Sequence, residues 1–266
     1  MVEIALCLAI VGFALVAIIA ALPEGMNVQM KNRQETIINQ DAAVWTDTIR
    51  NGARGLDDLT NYVTVITNFW THYEIDDGKT NITSGLNEYS LTNSHVTLPL
   101  LTDDNTMKLT NGARIVGLLS TPKYLPLSGP ASGGSFTSNY VVAYVRAMSG
   151  SAVEKAPQKN EDVLSQAFTY RMVVEITPYV PEVPLDTNST VLDVQTRNVL
   201  WNNSRDLRLL FRWPALPNGT IGNGYQPFRS LTGGQVVSVA DPMTGHPLYF
   251  FEPSTYFSLP PVAAAP

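Results

Sequence analysis

The chain has 266 residues, a formal net charge of -6 and only 15% charged residues, below the ~25% usual for soluble domains. The acidic balance supplies no basic field for nucleic acid or anionic membrane surfaces. The single cysteine, Cys7, excludes an intramolecular disulfide and a cysteine-rich metal site, so stability has to come from packing, within the chain or against neighbouring subunits.

The first element is an apolar run. Ile4 to Leu22 carries no polar side chain, and Gly12 is its only interruption; the length suits a membrane-crossing helix, which needs ~17 to 25 residues. Glu3 stands just before it, and Pro23-Glu24-Gly25 follows. A cleaved secretory signal would begin with positive charge and end in a small-residue cleavage site. A single-pass anchor explains the apolar length but leaves Glu3 as a cost of a few kcal/mol unless it sits at the interface. A third arrangement buries Glu3 against a charged partner when the helices of many copies bundle together, which turns the cost into a device for register. Pro23, which lacks an amide hydrogen, and Gly25 together predict a kink or a melted stretch at residues 23–25.

The stretch MVEIALCLAIVGFALVAIIAALP resembles the N-terminal helix of the type IV pilin and type II secretion pseudopilin superfamily. In that family a leader is cut just before a short apolar segment, a glutamate follows within a few residues, and the helix meets a proline near its outer end. Glu3, Ile4 to Leu22 and Pro23 match those features, and the resemblance covers roughly the first fifty residues. The interval from Glu3 to Pro23 is a few residues longer than in the commonest pilins, and Met1 is expected to lie a couple of residues inside the mature start.

The resemblance implies an α+β, pilin-like fold and a structural subunit without cofactor or catalytic residues. Its assembly residues would be Glu3, Pro23 and Gly25. Its partners would be further copies of itself in a helical homopolymer, the inner membrane before assembly, and the pilus or secretion assembly machinery, with no nucleic acid. It would leave the inner membrane for an extracellular filament at the cell surface. A pseudopilin of a type II secretion system is the nearest alternative, and a membrane-anchored binding or enzymatic domain is the alternative from another class.

Beyond Gly25, Ile38, Ala42, Trp45 and Ile49 recur at helical spacing, which predicts an amphipathic continuation ending at Asn51-Gly52. The first segment is therefore 1–52. Leu56, Leu59, Val63, Ile66, Trp70 and Tyr73 draw another helical stripe and predict a second helix over 53–78. Residues 79–266 read as a β-rich head, with strands expected at 114–121, 139–148, 168–177, 206–213, 235–240 and 247–253. In 168–177, Phe168, Tyr170, Met172, Val174 and Ile176 alternate with Thr169, Arg171 and Glu175, the pattern of a half-buried strand. The Pro-, Gly-, Ser- and Asn-rich stretches 120–139, 177–190 and 213–228 are expected loops.

Motifs for chemistry are sparse. His72, His95 and His246 have no zinc-ligand spacing; there is no phosphate-binding loop and no nucleophile elbow. A dispersed Ser-His-Asp set built on His246 and Asp241 is the remaining catalytic option, so the expectation is not an enzyme. No metal is expected; Asp186, Asn188, Thr190 and Asp193 form part of an oxygen-ligand calcium pattern that lacks the closing glutamate. Asn81, Asn188, Asn202 and Asn218 stand in glycosylation sequons, meaningful in an export pathway.

Overall fold

The computed structural model describes residues 2–76, 79–90, 107–126, 135–149, 168–179, 191–216, 219–242 and 244–258. The first element, α1 (Val2–Arg50), is a single 49-residue helix with Pro23 inside it. Of the kink or melted stretch expected at Pro23 to Gly25, the melted form is not present, since these residues are helical. A proline costs a helix one amide donor and crowds the carbonyl four residues before it, but both sides of α1 are open here, so the crowded carbonyl can tilt outward without burying an unpaired group.

The helix stops where the sequence says it should. Gly52 has φ +54°, and the backbone amides of Gly52 and Ala53 donate to the carbonyls of Ile49 and Thr48 at 3.1 and 3.2 Å, the paired bonds of a Schellman turn. A Cβ at Gly52 would overlap the carbonyl oxygen of Phe251. Gly52→Ala is therefore expected to cost about 2 kcal/mol, because strain in the left-handed region adds to the clash; chemical denaturation of the detergent-solubilised chain measures it.

A 3-10 turn (Asp57–Asn61) leads into β1 (Val63–Asp76), which corrects the second helix expected over 53–78. Ten of the fourteen residues of β1 are β-branched or aromatic, a composition suited to a pleated strand. The misleading spacing has a local cause. A register shift between Val63 and Val65 turns both Val63 and Ile66 to the core, since a bulge adds one residue to the alternation. Tyr73 faces the opposite side.

The chain continues through β2 (Lys79–Ser90), β3 (Met107–Lys108), α2 (Gly112–Leu119), β4 (Tyr124–Pro126), β5 (Phe136–Arg146) and β6 (Thr169–Pro178), then α3 (Val191–Asn203), β7 (Ser204–Ala215), β8 (Ile221–Gly233), β9 (Gln235–Ala240) and β10 (Pro247–Glu252). The described residues form an eight-stranded sheet in the order β3-β2-β1-β5-β6-β7-β8, with β4 beside one end of β5, and a two-stranded β9–β10 ribbon. All pairs are antiparallel except β2 with β3. Helix plus antiparallel sheet is an α+β arrangement, as expected.

Two expectations about the head are overturned. Residues 114–121, read as a strand, belong mostly to α2: Asn111 caps that helix by accepting from the Arg114 amide at 2.8 Å. Ile115, Val116, Leu118 and Leu119 are all buried, and an apolar run buried all round has no alternation to separate helix from strand. Residues 213–228, read as a loop, close β7 and open β8. Gly222 and Gly224 lie so close to Pro214 and the Trp213 ring that a Cβ would overlap them; these glycines permit close approach and do not break the strand. The strands expected at 139–148, 168–177, 206–213, 235–240 and 247–253 are present as β5, β6, β7, β9 and β10.

One face of the sheet carries the core. Tyr170, Met172, Val174 and Ile176 of β6, with Leu207, Leu209 and Phe211 of β7, pack with Ile38, Ala42, Trp45 and Ile49 of α1, with α2 and with β10. The alternation read along β6 is thus the core face of that strand.

Candidate functional site

The feature that sets this molecule apart is the division of α1 into two halves with opposite surroundings. From Ile37 onward one stripe is buried, with Ile38, Trp45 and Ile49 at 0% exposure. From Val2 to Arg33 every described side chain is exposed, including Phe13 at 82%. At ~1.5 Å per residue that free half is a rod about 50 Å long. Ile4 to Leu22 supplies ~28 Å of it, close to the ~30 Å of a bilayer's hydrocarbon. The chain therefore has a long apolar N-terminal helix of the kind that can anchor in a membrane. Glu3 lies in the first turn of this rod, with Pro23 and Gly25 where the apolar run gives way to polar sequence.

The junction between rod and sheet is built on a carboxylate. Asp41 is 0% exposed, on the buried stripe of α1. It accepts hydrogen bonds from the Met148 amide at 2.9 Å, the Ser149 hydroxyl at 2.5 Å and the Tyr170 hydroxyl at 3.0 Å. Tyr170 in turn accepts from the Trp45 indole N–H at 2.9 Å. One turn of α1 is thus tied to β6 and to the segment after β5. Burial raises the Asp41 carboxyl above the ordinary carboxylate range, while the bonds from Ser149, Met148 and Tyr170 pull it back; burial and the nearby Asp41 push the Tyr170 phenol well up. Both are held in place by partners whose loss leaves buried polar groups without bonds. The alternation of α1 could not reveal this: an aspartate four residues before Trp45 reads as a polar interruption until Tyr170 is brought opposite it.

A buried ion pair joins α2 to the segment after β9. Arg114 of α2 meets Asp241 at 2.6 Å, each side chain 3% exposed, and Thr244 donates to the same carboxylate at 2.7 Å. Asp241 was the acid of the dispersed catalytic option. Its carboxylate is bound by Arg114 and Thr244, and the contact with His246 is made by the backbones, the Asp241 amide donating to the His246 carbonyl at 2.9 Å. His72 lies on β1, its Nδ1 2.6 Å from the Thr137 hydroxyl, and His95 lies outside the described residues. Among the described residues no group of three or more His, Cys, Asp or Glu is placed to hold a metal.

Of the calcium pattern, Asp186, Asn188 and Thr190 lie outside the described residues, and Asp193 belongs to α3. Of the sequons, Asn81 is exposed on β2, Asn202 is half-buried near the end of α3, and Asn188 and Asn218 lie outside the described residues. Compared with family models, curated proteins and solved structures, the chain finds a match in none of the three.

Proposed function

We propose that this chain is the structural subunit of a pilin-like extracellular filament, held in the inner membrane by the free half of α1 before that half enters a bundle of identical helices. The observation that carries the proposal is the exposed rod of residues 2–33 with its apolar run Ile4 to Leu22, continuous with a half that is docked to the sheet by core packing and by the Asp41–Tyr170–Trp45 chain of hydrogen bonds. An anchor alone needs only enough apolar helix to cross the bilayer. This helix runs on beyond Leu22 without a break into the domain, which couples the rod to the sheet.

Inside a helix bundle every subunit presents the same apolar surface to its neighbours, and a head-to-tail contact of that kind propagates into an open helical polymer. Leaving lipid for such a bundle costs little hydrophobic energy, since both surroundings are apolar. The charge on Glu3 then selects the register at which it meets a cationic partner. Negative-stain microscopy of material sheared from the native cells, with mass spectrometry of the fibres, tests the proposal. Thin fibres made of this chain are the expected result; the chain found only in membranes and never in fibres would overturn it in favour of a simple anchored domain.

A further inference from the structure

The face of the sheet turned away from α1 carries an aromatic platform at the end far from the core. Phe69 and Tyr73 of β1, Ile82 of β2, Tyr124 of β4, and Phe136 and Tyr140 of β5 share this face by register. The rings touch: Tyr73 stacks on Phe136 at 4.7 Å between centroids and 19° between planes, Tyr124 meets the edge of Phe136 at 6.0 Å, and Phe69 lies 6.3 Å from Tyr140. Phe69 and Tyr140 are 38% and 37% exposed, Tyr124 47% and Ile82 63%. Between the aromatic rows runs a row of hydroxyls, Ser138, Thr71 and Ser84, in register beside Tyr124, with Thr71 and Ser84 3.1 Å apart. Among the described residues, Lys123 and Arg171 at the rim are engaged, Lys123 with Glu175 at 2.9 Å and Arg171 with the Tyr140 hydroxyl at 3.3 Å.

We propose that this platform binds a neutral polysaccharide. The exposed rings of Phe69, Tyr124 and Tyr140 offer apolar surface to the C–H faces of sugar rings, supported by the Tyr73–Phe136 stack between them, and hydroxyls that both donate and accept suit the sugar hydroxyls. Size separates this occupant from a protein partner. Four strands at ~4.8 Å spacing and three rows at ~6.8 Å make a patch about 14 Å on a side, on the order of 200–300 Å², whereas a stable protein interface needs ~800 Å² from each partner. The direction of the patch rests on the filament reading: with α1 along the axis, the opposite face of the sheet looks outward, toward external ligands.

The test does not need filaments. The full chain in detergent is passed over cellulose and chitin particles at low and high salt, and compared with the Tyr124→Ala/Tyr140→Ala and Tyr124→Phe/Tyr140→Phe pairs. Retention of the native chain on at least one matrix is expected, insensitive to salt, weakened about tenfold (~1.4 kcal/mol) by the alanine pair and kept by the phenylalanine pair, which preserves the ring faces. If the alanine pair fails to fold, Ile82→Lys, which sets a charge at the exposed rim, is expected to weaken retention in its place. No retention on either matrix, or equal retention by the variants that remove the rings or charge the rim, overturns the proposal. So does concentration-dependent self-association of the native chain that the alanine pair abolishes, because it would assign the patch to a neighbouring copy. Fibre formation in cells is scored separately, so loss of one property is distinguishable from loss of the other.

Discussion

Glu3→Ala is expected to abolish fibres while leaving the folded domain intact. In the proposed bundle the carboxylate faces a cation of a neighbouring subunit in apolar surroundings, and removing one partner of a buried pair leaves the other unpaired at a cost of about 3 to 5 kcal/mol. That cost recurs at every subunit added, so even its lower end reduces the equilibrium constant of each addition more than a hundredfold. Glu3→Gln keeps the shape of the side chain and is expected to fail as well, which separates charge from packing. The domain should not respond: Glu3 is exposed and lies 34 residues before Ile37, the first buried residue of α1, some 50 Å along the helix. Fibres are counted by microscopy, subunit in the membrane fraction is measured by immunoblot, and the unfolding transition is followed in detergent. Fibres at native abundance from either variant would remove the register role assigned to Glu3, while loss of subunit from the membrane would point to failed insertion.

The parts of the molecule that were legible in the sequence are those where one face meets the core and the other meets solvent. The stripe Ile38, Ala42, Trp45 and Ile49 and the alternation of Tyr170, Met172, Val174 and Ile176 lie on opposite sides of one interface, and both periods are readable because one face of each element meets the core, with Val173 alone buried on the other face of β6. Legibility failed where that condition failed. α2 is buried on nearly all sides, so its apolar run carries no period, and the informative residue was the polar cap Asn111. In β1 a bulge placed Val63 and Ile66 on one face three residues apart and so mimicked a helix. In β8 the glycines that signal a turn in isolation admit the Trp213 ring. Among the site residues, Glu3 stood out because a charge beside nineteen apolar residues is costly, whereas Asp41 looked like an ordinary surface residue. Its importance depends on Tyr170, which lies 129 residues away in sequence, and no local pattern encodes that distance.

Asp41 accordingly gives the sharpest test of how the rod is joined to the domain. Asp41→Ala leaves the Tyr170 hydroxyl, the Met148 amide and the Ser149 hydroxyl without their acceptor. An abandoned buried donor costs about 1 to 3 kcal/mol, partly offset by no longer burying a carboxylate, so a net loss of about 3 kcal/mol is expected. Tyr170→Phe should cost about 2 kcal/mol by stranding the Trp45 indole N–H, and the double variant should lose less than the sum, because the three side chains act as one network. Asp41→Asn should cost less than Asp41→Ala: turned so that its oxygen takes the place of Oδ2, the amide still accepts from Met148 and Tyr170, and its nitrogen donates to the Ser149 hydroxyl, which can accept. The pH dependence has a definite sign. Because burial raises the folded carboxyl above its ordinary 3.8, the folded state binds the proton more tightly than the unfolded chain. The stabilisation that results is complete below 3.8, and it is lost as pH rises through the elevated folded value. The stability gap between the native chain and Asp41→Ala should therefore widen on acidification from neutral pH, whereas an ion-paired carboxylate would make it narrow. Denaturant unfolding of the detergent-solubilised chain, followed by tryptophan fluorescence at several pH values, measures both quantities. A gap under about 0.5 kcal/mol, the ordinary range of a surface substitution, or one that closes in acid, would show that the buried carboxylate does not lock α1 to the sheet.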